Sequence, residues 1–298
     1  MKNLIVFLWV ACVFQSFSQA QDAEKVYADS LLHLAETAAS DSVKISRYLE
    51  LSYFWSDRDT SMAFGYLHQA RELMPPNNDF YQGMLHFYAA GIYFDRVIER
   101  GKKEYMEAEK YLKRHSSKAA FRFRARLWNN YGALLQRQDQ EEEYIDILLY
   151  QAIPLAKKAG DSILVANNYQ NVALILMNIT DYSKADDYFR RAINSLSAYP
   201  KANEEKLTTF VNAAKNAIYS RNFKKAGPYL DSAKVQLNLV PHSLYAPVYY
   251  SASGTFYRHN KDWEAALTHF DRGLDLSRSY GDKGMVSSIL FEKYLLYK

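Results

Sequence analysis

Cysteine is almost missing from this chain of 298 residues: its one copy, Cys12, falls within the first twenty. Disulfide frameworks, thiolate metal sites and cysteine nucleophiles are therefore excluded from everything that follows. Proline (7) and glycine (11) are scarce, and no Gly/Ser-rich or Pro-rich linker divides the chain. No polar/apolar alternation persists beyond four residues, which argues against strands. Charge of either sign is not in excess, with 37 Lys and Arg against 33 Asp and Glu for a net +4. A basic stripe for nucleic acid is absent, and the local group Lys113, Arg114, His115, Lys118, Arg122, Arg124 and Arg126 reads as a solvated helix face. Catalytic signatures are missing too: no phosphate loop, dinucleotide-binding glycines, nucleophile elbow or paired-histidine zinc helix occurs. The seven histidines (His33, His68, His86, His115, His242, His259, His269) are scattered, so no metal site, cofactor or catalytic residue is expected. Glu141, Glu142 and Glu143 suit a helix start, where carboxylates complement the dipole.

Long apolar runs are equally lacking. The longest, Leu4 to Phe14, is too short to cross a bilayer. It follows Lys2 and precedes Ser18-Gln19-Ala20, so residues 1–20 read as a secretory signal with cleavage after Ala20. A lipoprotein reading would acylate Cys12, but Trp9-Val10-Ala11 lacks leucine three residues before the cysteine. The mature chain is expected to carry no transmembrane helix and to be exported, periplasmic or envelope-associated.

What is abundant is aromatic side chain (25 Tyr, 16 Phe, 4 Trp) and repetition. The stretches at 181–193, 222–234 and 262–274 repeat at offsets of 41 and 40 residues. In each, an aromatic (Tyr182, Phe223, Trp263) is followed by alanine (Ala185, Ala226, Ala266), a large apolar residue (Phe189, Leu230, Phe270) and a small one (Ala192, Ala233, Gly273). Steps of three, four and three keep these side chains on one helix face, a seam alternating large and small. A period between 20 and 50 residues signals a solenoid in which each unit buries its face against the next.

An upstream helix carries its own seam in each copy: Tyr250, Gly254, Tyr257; Phe210, Ala214, Ala217; Tyr169, Ala173, Leu176. Trp128, Gly132, Leu135, Leu149 and Ala152 form a further copy with one residue inserted in the turn. Phe87, Gly91, Phe94, Ala108, Leu112 and Leu51, Ala63, Leu67, Ala70 mark two weaker ones. The pattern resembles the tetratricopeptide repeat, with a period nearer 40 than the family's 34. The expected fold is all-α: a right-handed superhelix of about six hairpins over residues 43–298, an N-terminal helix within 21–42, and one unpaired C-terminal helix. Helices are expected near 23–38, 43–55, 60–73, 80–98, 103–114, 118–138, 141–158, 162–179, 182–197, 202–221, 223–238, 245–260, 262–278 and 283–297. Pro154 and Pro228 fall inside second helices and should bend them or end a turn.

In the resembled family, first helices line a groove that holds a peptide or a partner helix. Alignment places Arg126, Asn129, Gln136, Arg137, Asn167, Gln170, Asn178, Lys215, Tyr219, Ser251, Arg258 and His259 beside the packing seam. Amides can pair with a peptide backbone and arginines with a carboxylate, although the set lacks a full carboxylate clamp. The resemblance implies a protein- or peptide-binding solenoid without catalysis, similar to the N-terminal sensor part of envelope signalling regulators. Alternatives are a stand-alone periplasmic scaffold and a helical carbohydrate-binding lipoprotein. The apolar residues from Met285 to Tyr297 lack a partner helix, so either self-association through 283–298 or a further helix covering them is expected.

Overall fold

A computed structural model describes residues 26–298. The expected signal segment, its cleavage point and Cys12 lie outside the described residues. Every regular element among the described residues is helical, and the chain divides between residues 164 and 165 into two compact units. The first holds α1 (residues 26–36), α2 (Asp41–Trp55), α3 (Thr60–Leu73), α4 (Asp79–Tyr93), α5 (Ile98–Leu112) and α6 (Lys118–Gln136). Its last hairpin arm comes in three parts: α7 (Glu141–Ile147), a π-helical turn (Leu148–Ala152) and α8 (Ile153–Ala159). The boundary crosses the first turn of α9 (Ser162–Asn178). The second unit continues with α10 (Tyr182–Leu196), α11 (Asn203–Tyr219), α12 (Phe223–Leu239), α13 (Ala246–His259), α14 (Trp263–Ser279) and α15 (Lys283–Leu296). Six hairpins result, flanked by α1 and α15.

One turn chemistry recurs along this array. Asp139, Gly160, Thr180, Arg221, Lys261 and Gly281 all take left-handed backbone, with φ from 57° to 72°. The next residue sends its N–H back to the carbonyl five positions earlier, for example Asn222 to Ala217 at 2.7 Å and Asp262 to Tyr257 at 3.0 Å. Orphan carbonyls at the helix end are thereby satisfied. That same residue then caps the following helix: Asp181, Asn222, Asp262 and Asp282 each accept from the backbone N–H three residues on. Such a cap contributes about 1 kcal/mol. Ending one helix and starting the next within two residues is what forces tight hairpins.

Seam positions are buried as the spacing predicts. Ala185, Ala226 and Ala266 are fully buried, with Phe189 and Phe270 equally so and Leu230 close behind. The leading aromatics are less covered than a seam residue should be, and Trp263 is 50% exposed, because it opens its helix at the turn. Close approach is read directly at two glycines. A Cβ on Gly254 would lie 2.5 Å from the Phe270 ring, and one on Gly132 would lie 2.0 Å from the Tyr144 ring.

Three expectations need correction. The fourth helix ends at Tyr93 and the fifth begins at Ile98, instead of 98 and 103. Gly101 lies inside α5 at the place that Ala266 holds in α14, because Leu134 packs 3.3 Å from where its Cβ would be. The inserted residue in the α6 hairpin is in the helix, not in the turn: Tyr144 and Leu148 are the buried seam residues, and the π turn after Leu148 absorbs the extra residue. Pro154 falls at the start of α8, where a missing N–H is tolerated, so the chain continues as a helix. Pro228 ends nothing either, since α12 runs through it.

Helix α15 packs on α13 and α14, with Ile289 buried against Ala266, Phe270 and Leu274. Its outer face leaves Leu290, Phe291, Tyr294 and Tyr297 exposed.

Candidate functional site

In the first unit the first helices α2, α4 and α6 neighbour one another, and their shared face opens into a cleft of about 970 Å3. Its walls are aromatic: Tyr53 and Phe54 from α2, Phe87 and Tyr88 from α4, and Phe94 from the turn beyond. Tyr105 of α5 also lines it, and Asn130 of α6 donates to the Tyr105 hydroxyl at 3.1 Å. Burial pushes the Tyr88 phenol up to about 12, with Arg126 pulling it down and Glu50 and Tyr53 pushing it further up. Tyr105 is raised as well, by burial, with the Asn130 hydrogen bond opposing. Both phenols stay neutral donors and acceptors at any physiological pH.

The carboxylates lining this cleft are already matched. Glu50 pairs with Arg47 at 2.5 Å, Asp57 with Arg58 at 2.6 Å and Asp95 with Arg137 at 2.8 Å. Arg58 also lies over the Phe54 ring, 4.4 Å from its centroid. Arg126 is exposed in the cleft and has no ion pair or hydrogen bond to a described residue.

A smaller cavity of about 70 Å3 lies in the second unit, where α11, α13 and α15 meet. Lys215 and Tyr219 line it with Ser251, Thr255, Ser288 and Glu292. Glu292 accepts from Arg258 at 3.0 Å and from the Thr255 hydroxyl at 3.2 Å. Burial holds the Lys215 ammonium below its ordinary range, and burial raises the Tyr219 phenol with help from Glu292.

The residues aligned beside the seam are distributed over both units. Arg126 lines the first unit's cleft; Lys215, Tyr219 and Ser251 line the second unit's cavity, with Arg258 at its border through Glu292. Asn129 instead accepts from Tyr144 at 3.1 Å and ties α6 to α7. Arg137 clamps the turn after α4 by donating to the Phe94 carbonyl and to Asp95, both at 2.8 Å. Gln136 is half-buried and lines neither opening; Asn167 and Asn178 are exposed on α9, and Gln170 beside them is half-buried. His259 packs in a tilted arrangement against Phe223, with ring centroids 5.1 Å apart. Within the basic group near residue 120, Arg114 pairs with Asp79, Arg122 with Asp161 and Arg124 with Glu109, whereas Arg126 forms no such pair with a described residue.

Sequence reasoning missed Tyr53, Tyr88, Asn130, Thr255 and Glu292. One signal was present: Asn130, Asn171 and Asn212 recur at 41-residue steps. Asn212 accepts from the Tyr245 hydroxyl at 2.6 Å, an amide–phenol pair like that of Asn130 and Tyr105. Among the described residues no three His, Cys, Asp or Glu side chains converge as a metal site would need, and no helix is long and apolar enough to cross a membrane.

Capped helical hairpins with small residues at their crossings define a tetratricopeptide-like helical repeat fold, and comparison with solved structures agrees. The chain is similar to the apo form of RapI (TM-score 0.66, 12% identity, 97% of this chain and 80% of that one). It is also similar to pilF of Pseudomonas aeruginosa (0.56, 18%, 85% and 99%). A third likeness is to a signal transduction ATPase with a tetratricopeptide repeat sensor from Pyrococcus horikoshii (0.66, 15%), covering 98% of this chain and 45% of that one. No family model and no curated protein matches the sequence.

Proposed function

We propose that this protein is an exported, non-catalytic binding protein whose first-helix faces hold a protein or peptide, and that it serves as the sensor or interaction part of a signalling or transcription-regulatory system. The observation that carries this reading is the open aromatic cleft between α2, α4 and α6, which is large enough for several residues of an extended chain. Structural neighbours support it in kind: one is the quorum sensor NprR, another a Rap protein complexed with competence and sporulation factor, another the type IV pilus biogenesis factor PilW. Export rests on residues 1–20, and mature protein from an envelope fraction is expected to begin at Gln21 by mass spectrometry. An intact Met1 or an acylated Cys12 contradicts export of this kind.

Panning the full chain against random displayed heptapeptides, followed by calorimetry on the enriched sequences, tests the binding reading. Saturable one-to-one binding supports it. Enrichment of nothing, with retention of oligosaccharides on an array, would replace it by the carbohydrate-binding alternative. A second reading concerns α15, whose exposed Leu290, Phe291, Tyr294 and Tyr297 favour self-association through residues 283–298.

A further inference from the structure

From the pairing of charges in the first unit's cleft, we infer that its ligand is a short peptide segment that sets a carboxylate against Arg126 beside an aromatic or large aliphatic side chain held by Tyr53 and Tyr88. The inference rests on the peptide-binding reading and deepens it by placing the site and naming the ligand chemistry. The cleft belongs to the repeats with the weakest match to the repeat pattern. Their first-helix faces present two rings to the opening, Tyr53 and Tyr88.

Charge decides the polarity of the ligand. Every carboxylate lining the cleft has a cationic partner within 2.8 Å, while Arg126, the cation facing Tyr88, has none among the described residues. A cationic ligand would have to compete with Arg47, Arg58 or Arg137 for a carboxylate. An anionic ligand meets a guanidinium that is free to form a two-pronged pair. Because Arg126 is exposed, that pair contributes selectivity more than affinity. Affinity comes from ring surface: Tyr53 is 68% exposed and offers a face with no folding duty, the usual character of an anchor at a binding site. Neutral Tyr88 and the Tyr105–Asn130 pair supply donors and acceptors for peptide backbone at the base. A carboxylate could come from an acidic side chain or from a free C-terminus, and both suit the same guanidinium.

Peptides enriched on the wild-type chain provide the probe, titrated calorimetrically into the wild type and into Arg126→Met, Tyr53→Ala and Lys215→Met variants. Enriched sequences should place Asp or Glu within about three positions of an aromatic or large aliphatic residue. Arg126→Met should weaken binding about threefold, and replacing the peptide's acid by its amide should weaken wild type but not that variant. Tyr53→Ala, at an exposed position, should keep the wild-type circular dichroism and melting temperature while losing about tenfold or more. Lys215→Met should bind as wild type. Amidating the peptide C-terminus separates the two carboxylate sources. Peptides that bind but ignore Arg126 and Tyr53, or that depend on Lys215, overturn the inference and leave the peptide-binding reading intact. A chain that enriches no peptide removes both.

Discussion

Replacing Gly254 by alanine should destabilise the protein, although alanine is the better helix former. In an exposed helix interior, glycine to alanine stabilises by about 1 kcal/mol through backbone entropy. At Gly254 the new methyl carbon would lie 2.5 Å from two atoms of the Phe270 ring and 2.9 Å from a third. The ring cannot swing aside, since Phe270 is fully buried among Ala266, Leu274 and Ile289. Overpacking of this kind costs about 1 to 3 kcal/mol, so the packing term offsets or exceeds the propensity term of about 1 kcal/mol and the net should be a loss of up to about 2 kcal/mol. Gly65 in α3 is the internal control, because nothing lies within 4 Å of its Cβ position. Gly65→Ala should stabilise by about 0.5 to 1 kcal/mol. Urea unfolding followed by circular dichroism reads both signs. A Gly254→Ala/Phe270→Leu double variant should recover part of the loss, as contacting residues do. If both alanine variants stabilised the protein equally, the close approach of α13 and α14 assigned here would be refuted.

Three further outcomes are expected. Lys261 holds left-handed backbone at φ 62°, so Lys261→Gly should raise stability by about 0.5 to 1 kcal/mol, and a loss in the urea midpoint would contradict the turn assignment. Tyr88 ionises near 12 when folded against an ordinary 10, so its stabilisation is complete below pH 10 and is lost as pH rises toward 12, at about 1.4 kcal/mol per pH unit; a phenolate absorbance titration in which all 25 tyrosines ionise near 10 with the fold intact would contradict that burial. Phe291→Glu with Tyr294→Glu should abolish concentration-dependent association in sedimentation velocity, and a wild-type chain that stays monomeric at high concentration removes the self-association reading.

Much of the fold was legible because one device repeats. Small residues at fixed steps made the seams visible in α10, α12 and α14. Gly101 was illegible for a physical reason: a glycine near polar residues looks like a break, and only the neighbouring Leu134 reveals it as a contact point. The π turn at Leu148–Ala152 was half visible, since an extra residue must go somewhere but local sequence does not say whether the turn or the helix absorbs it. The candidate site was less legible. Alignment placed Asn129 and Arg137 beside the groove, yet Tyr144 and the turn at Phe94 and Asp95 claim their hydrogen bonds. The cleft's defining rings, Tyr53 and Tyr88, sit where repeat similarity is weakest, so pattern matching directed attention away from them.

The most direct measurement is the crystal structure of the full chain with an enriched acidic–aromatic peptide. The expected result is an extended segment along α2, α4 and α6, with a side chain on Tyr53 and Tyr88 and a carboxylate at the Arg126 guanidinium. A peptide lying on the second helices, or seated at Lys215 and Tyr219 with the aromatic cleft empty, would contradict it.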